Sequence, residues 1–158
     1  MVAAAAFAVA FCAAALIRMA CRGEAAPGSR PSIEDRQKQY GPSARKRLSP
    51  HFTAANVPYP PARIVLVGLK DEKRLEVWAA GEDGLAAKVR DYPILAASGT
   101  AGPKLREGDR QVPEGIYRIE SLNPNSRYHL ALRVNYPSDE DRGQAKKDGR
   151  DRLGGDIM

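Results

Sequence analysis

The sequence predicts a mainly-β fold preceded by a short helical segment. Three observations carry this reading. From Arg63 onward, runs such as Ile64-Val-Leu-Val67 and Leu75-Glu-Val-Trp-Ala79 are β-branched or alternate in polarity, the pattern of strands with one face inward. Polar, Gly-rich stretches separate those runs at Asp71–Lys73 and Gly81–Gly84, where turns are expected. Ahead of them, Pro58-Tyr-Pro-Pro61 forbids helix and marks the entrance to the folded part.

The chain has 158 residues, room for one domain of ordinary size with extensions. It divides into a leader (1–25), a basic linker with short helices (26–58) and a folded region (59–158). Val2 to Ile17 is a run of sixteen uncharged residues dominated by alanine. A membrane span needs about 20 apolar residues, so the run fits the core of a secretory signal better. No Lys or Arg precedes it and Arg18 follows it directly. An Ala-rich disordered or helical leader is the alternative reading, and membrane contact through it is a further expectation. Both cysteines, Cys12 and Cys21, lie in this leader. Ala20 before Cys21 suits a lipid-anchoring site, whereas Arg18 stands where leucine is usual. Cleavage near Gly23-Glu-Ala25 would remove both thiols. The folded region has no cysteine, which excludes disulfide and cysteine-ligated zinc architectures there.

The formal net charge is +6, but it is unevenly placed. Residues 18–50 carry eight Lys/Arg against three Asp/Glu, while residues 51–158 carry seventeen against sixteen. The excess belongs to the segment behind the leader, where it suits anionic lipid or wall polymer. The nearly neutral folded region has no basic stripe interleaved with aromatics, so nucleic acid is not an expected partner.

Ser32 with Asp35 has the spacing of a capping box, which predicts a short helix over Ile33–Tyr40 ended by Gly41. Leu48, Phe52 and Ala55 mark a second helix, with Pro50 in its first turn. Ile64–Val67 and Leu75–Ala79 form a hairpin. Ala86–Val89 and Tyr92–Ala97 are predicted as two further strands, and Ser98–Pro103 as a Gly-rich loop without a phosphate-binding pattern. Gly115–Ile119 and Arg127–Val134 complete the sheet. In the last strand, alternation puts Tyr128, Leu130, Leu132 and Val134 on a buried face and His129, Ala131, Arg133 and Asn135 on a face open to a cleft. Residues 138–152 read as a polar surface excursion with one weak helix after Ser138.

Two motifs carry a family resemblance. Val112-Pro-Glu-Gly115 and Asn123-Pro-Asn-Ser-Arg-Tyr-His129 occur in this order, behind Lys104-Leu-Arg-Glu-Gly-Asp109 and before Gly154-Gly-Asp-Ile-Met158. The region 59–158 thereby resembles the catalytic domains of L,D-transpeptidases (YkuD-type), most nearly the YafK-like subgroup. Val112 stands where the family usually has threonine. The resemblance implies an L,D-transpeptidase-type β-sandwich and exported enzymes that cut and rejoin peptidoglycan stem peptides. A cysteine thiolate attacks the carbonyl joining a diamino acid to a terminal D-alanine, and a histidine takes the thiol proton. In the family the strand ending here runs on into His-Gly and then Ser-x-Gly-Cys. Met158 falls before both, so the expectation is a fragment, incomplete at its C-terminus, without the catalytic residues and with a sheet edge and part of its core exposed.

No residue of the folded region replaces them. His51 reads as a structural or solvated residue. His129 either supports its strand or contacts substrate, and Arg133 either pairs a stem-peptide carboxylate or is an exposed strand arginine. Tyr128, His129 and Arg133 are therefore the substrate-binding candidates. Trp78 reads as packing or a rim aromatic, and Gly115, Gly154 and Gly155 as backbone geometry. No metal or cofactor is expected, because the two histidines and scattered acids have no ligand spacing. Two other readings stay open: a catalytically inactive envelope module that binds peptidoglycan or a partner, or a hydrolytic relative.

Overall fold

The computed structural model describes residues 30–158; the predicted leader and both cysteines lie outside the described residues. The elements in order are α1 (Ile33–Ala54), β1 (Arg63–Leu69), β2 (Arg74–Ala80), β3 (Ala86–Pro93), β4 (Ile119–Ser126), β5 (His129–Val134) and α2 (Asp139–Lys147). β1, β2 and β3 form one antiparallel sheet in that order, and β4 and β5 a second, two-stranded one. The mainly-β class is as predicted. No strand of one sheet comes within 8 Å of a strand of the other, Cα to Cα; α1 contacts β3, β4 and β5 and so joins the two.

α1 begins at the predicted cap. Asp35 N–H donates to Ser32 Oγ (3.1 Å) and Ser32 N–H to Asp35 Oδ2 (2.9 Å). The two predicted helices are one. Gly41, Pro42 and Pro50 all lie inside α1, although an interior proline costs about 3 kcal/mol by propensity. Tertiary contacts at both ends outweigh it: Arg36 donates to Pro124 C=O (2.8 Å), and Phe52 is buried against the first sheet. The helix stops at Asn56, not Gly41. Asn56 takes φ +55°, its N–H donates to Thr53 C=O (3.1 Å), and Val57 N–H donates to Phe52 C=O (3.0 Å). This is a Schellman ending, completed by the contact of Val57 with Phe52 in one cluster.

The first core holds Phe52, Val57, Ala79 and Val89, with Leu48, Ala55 and Ala87 against it. A bulge delivers Val89. Val77 pairs with Arg90 and Trp78 with Lys88, leaving Val89 as the extra residue. The strands predicted at Ala86–Val89 and Tyr92–Ala97 are a single strand, β3, which ends at Pro93. One more bond, Ile94 N–H to Lys73 C=O (2.7 Å), follows before the chain leaves the sheet.

The second core gathers Tyr136, Ala145 and Leu153, with Tyr117, Val134 and Ile157 packed on it. α2 occupies the place predicted after Ser138, whose hydroxyl accepts from Asp141 N–H (3.2 Å). Its Ala145 is buried, so the excursion is anchored. The strand predicted at Gly115–Ile119 lies further on: Ile116 is exposed and pairing starts only at Ile119. Val134 N–H donates to Ile157 C=O (3.0 Å), so the chain end runs beside β5.

Candidate functional site

The β4–β5 hairpin carries all three predicted site residues, but in unequal settings. Ser126 pairs with His129 across the two-residue turn Arg127-Tyr128. Tyr128 therefore lies in the turn and is 81% exposed, not on a buried strand face. Leu132 is likewise exposed, while Leu130 and Val134 are half-buried. The strict alternation predicted from Tyr128 does not hold: Tyr128 is in the turn, and within β5 the exposed residues are His129, Leu132 and Arg133.

His129 sits at the hairpin corner with φ +72°. Its Nδ1 is 3.0 Å from Tyr40 Oη and the two rings lie 4.4 Å apart. The imidazole thus faces α1. One ring nitrogen is engaged and Nε2 remains for a ligand. Arg133 lies further along β5, held by Glu120 Oε2 (3.2 Å) and Asp156 Oδ1 (2.8 Å). Its guanidinium stays partly exposed beside a small cleft of about 190 Å3 lined by Glu120, Asn135, Ser138, Asp139 and Arg142. Such a fork suits a carboxylate, which would compete with Asp156 for it.

His51 is remote from this group. Its Nε2 lies 2.8 Å from Arg90 Nη1 on β3. A guanidinium only donates, so Nε2 accepts and the ring proton resides on Nδ1. The bond ties α1 to the first sheet, the structural role predicted for it. Trp78 donates from Nε1 to Glu76 Oε2 (2.9 Å), and Glu76 also bonds Arg74 and Lys88. Trp78 is therefore tethered within its own sheet.

The Lys104–Asp109 segment has a role that short-range pattern left undefined. Asp109 Oδ2 accepts from the N–H groups of Leu105 (2.8 Å) and Arg106 (2.9 Å), and Oδ1 from Gln111 N–H (3.1 Å) and Lys104 Nζ (2.7 Å). Desolvation acts to raise the Asp109 carboxyl. The Lys104 ammonium and the Arg106, Gln111 and Leu105 amides outweigh it, so the group is held well below the usual carboxylate range. Lys104 Nζ also donates to Arg106 C=O (2.8 Å). Next to this knot, loop 103–111 and residues 149–152 enclose a cleft of about 840 Å3. Glu107 N–H to Arg152 C=O (2.9 Å) and Arg150 Nη1 to Leu105 C=O (2.8 Å) hold its two walls together.

Lys70 fixes the other side of this long connection. Its ammonium donates to Gly102 C=O (2.7 Å), Val112 C=O (3.2 Å) and Glu114 Oε1 (2.6 Å), using all three of its hydrogens. The Val112-Pro-Glu-Gly115 motif is thereby stapled to the end of β1. Gly115 takes φ +149° with Tyr117 packed over its Cα, the backbone role predicted for it. Tyr117 Oη lies 3.1 Å from Asp141 Oδ1. Burial first, then the Asp141 carboxylate, pushes the Tyr117 phenol up from its ordinary value. No sequence signal marks Tyr40, Lys70 or Tyr117 as organising residues, since each acts on a partner at least two dozen positions away.

Among the described residues no three His, Cys, Asp or Glu side chains converge on a metal-sized site. None of the described helices is long and apolar enough to cross a membrane.

A β-rich chain with these two motifs on its long connection and its second hairpin is, at the level of sequence, L,D-transpeptidase-like. Its similarity lies with the YafK type: the chain is 37% identical over 76 residues to the protein named "Putative L,D-transpeptidase YafK" of Escherichia coli (strain K12), and equally to that of Escherichia coli O157:H7. Each match covers 46% of this chain and 30% of the relative's own length. No protein-family model matches the chain, and no solved structure matches it.

Proposed function

We propose that residues 59–158 are part of an exported, cysteine-dependent peptidoglycan L,D-transpeptidase or a hydrolytic relative, acting in the periplasm or cell envelope. The observation that carries this reading is the 37% identity over 76 residues with the YafK-type relatives, together with the two motifs in family order. In the proposed reaction a thiolate attacks the carbonyl between a diamino acid and a terminal D-alanine. D-Alanine leaves as the amine, and the acyl-enzyme passes to an amine of another stem, or to water. Residues 30–158 contain no cysteine, so their part is scaffold and substrate contact. Arg133 takes a stem-peptide carboxylate, Tyr128 lies along the peptide, and His129 offers Nε2 from the hairpin corner.

The test uses two proteins, the 158-residue chain and the product of the reading frame followed about 200 nucleotides past the Met158 codon. If that frame continues into His-Gly and Ser-x-Gly-Cys, the longer protein is expected to release D-alanine from muropeptides in a thiol-dependent way, and the 158-residue chain none. Failure of the longer protein to do so sinks the enzyme reading. A second reading, an inactive envelope module, applies if a stop codon follows Met158 directly. It requires the 158-residue chain to sediment with isolated sacculi, and Arg133→Ala to weaken that binding.

A further inference from the structure

Strand edges are ordinarily guarded against pairing with other chains by charges, prolines, bulges or a covering segment. Among the described residues, three of the four edges are. β3 has the Val89 bulge, Lys88, Arg90, Asp91 and Pro93. β4 has Glu120, Pro124 and two register irregularities, and the far side of β5 takes the bond from Val134 to Ile157. β1 is different. Its register with β2 runs unbroken over seven pairs, and Ile64 to Leu69 holds no charge and no proline. Ile64 and Val65 are each 56% exposed. Among the described residues nothing pairs with its outer side. Ala80, the register partner of Arg63, turns its C=O to β1, where it accepts from Ala62 N–H (3.0 Å). Arg63, Val65, Val67 and Leu69 therefore bond toward β2, and alternation turns the polar groups of Ile64, Leu66 and Gly68 outward.

We propose that this edge pairs with the same edge of a second copy of the chain, antiparallel and centred on Val67. The charges bracketing the strand select both occupant and register. Arg63 opens it and Asp71 follows it; both are exposed, and neither has an ion-pair partner among the described residues. Two-fold pairing about Val67 sets Arg63 opposite Asp71 of the second copy, and the same contact recurs at the other end. Val65 then faces Leu69 of the second copy on one side of the sheet, and Leu66 faces Gly68 on the other, so no like charges meet within the strands. A parallel arrangement in the same frame would set Arg63 against Arg63. The two three-stranded sheets become one continuous sheet with guarded edges on both flanks.

Sedimentation equilibrium of the full chain tests this. The expected result is a reversible dimer. Arg63→Asp and Asp71→Arg are each expected to raise its dissociation constant about tenfold or more, since each places two like-charge pairs across the seam. The double variant R63D/D71R is expected to restore it. Val65→Lys, a charge placed on the exposed edge, is expected to give monomer while leaving the thermal transition in place. A chain monomeric at all accessible concentrations overturns the proposal, including one whose β1 amides resist hydrogen exchange because an internal segment covers them. So does a dimer indifferent to the charge reversals.

Discussion

Tyr40 and His129, 89 positions apart, meet at 3.0 Å between the phenol oxygen and Nδ1. One is in the middle of α1, the other at the corner of the second hairpin. With Arg36 and Pro124 C=O (2.8 Å), this contact fastens the hairpin to the helix that also roofs the first sheet. Tyr40→Phe keeps the ring and removes the hydroxyl. Because the bond is exposed, the loss is expected to be small, about 0.5–1 kcal/mol. Faster amide exchange in β4 and β5, with β1–β3 unchanged, is the signature; unchanged exchange in the hairpin would show that the contact fastens nothing.

Asp109 and Lys104 are the interior ion pair of the long connection, with little exposure on either side chain. Asp109→Asn leaves the Lys104 ammonium without its charge partner and is expected to cost about 2–3 kcal/mol, near the lower range for broken buried pairs. Chemical denaturation of both proteins at neutral pH measures it. The pH dependence has a definite sign. Asp109 is depressed in the folded state, so its contribution is present above the ordinary aspartate value of about 3.9 and is lost as pH falls through the folded value. The stabilities of the wild type and the Asp109→Asn variant should therefore converge only below about pH 4.

Tyr117 behaves oppositely. Burial and Asp141 favour its neutral form and raise its titration, so its contribution is complete below the unfolded tyrosine value of about 10 and is lost as pH rises through the folded one. Thermal unfolding from about pH 8 to about pH 12 should show a decline starting near the unfolded value. Tyr117→Phe should flatten that decline, apart from the share of Tyr136, which burial also pushes up. An equally steep decline in the variant would remove Tyr117 as its source.

Gly41 lies within α1 directly before Pro42, and beyond its chain neighbours a Cβ added there meets nothing within 4 Å. In helical backbone that Cβ crowds the proline Cδ, so Gly41→Ala should lower the melting temperature despite alanine's better helix propensity. A raised melting temperature would show that the proline ring leaves room for the methyl group.

The helix caps at Ser32 and Ser138 were legible because each is written in four consecutive residues that bond one another. The hairpin of β1 and β2 and its turn were legible for the same reason: polarity alternation and turn chemistry are short-range. The predicted break in α1 at Gly41 and Pro42 fails because local propensity is the only signal there. Its continuity rests on Arg36, Tyr40 and Phe52 meeting partners far along the chain. The true stop, Asn56 followed by Val57, is a local signal that could have been found. At the candidate site, the sequence located Tyr128, His129 and Arg133 on one hairpin but not their settings. The turn removes Tyr128 from the strand, and what packs on each face of a two-stranded sheet, decided by distant segments, sets the exposure of the others.

By itself, the sequence determined the mainly-β class, the capped helix starts, the absence of a thiol from residues 30–158 and the likeness to YafK-type L,D-transpeptidases. These follow from composition and from spacings of a few residues. The tertiary structure alone decided that one helix joins two separate sheets, that Asp109 and Lys70 organise the long connection, and that β1 is left unguarded. Each of these depends on groups brought together across dozens of positions. No local pattern encodes such a meeting, because its free energy arises only when burial and ion pairing are satisfied together.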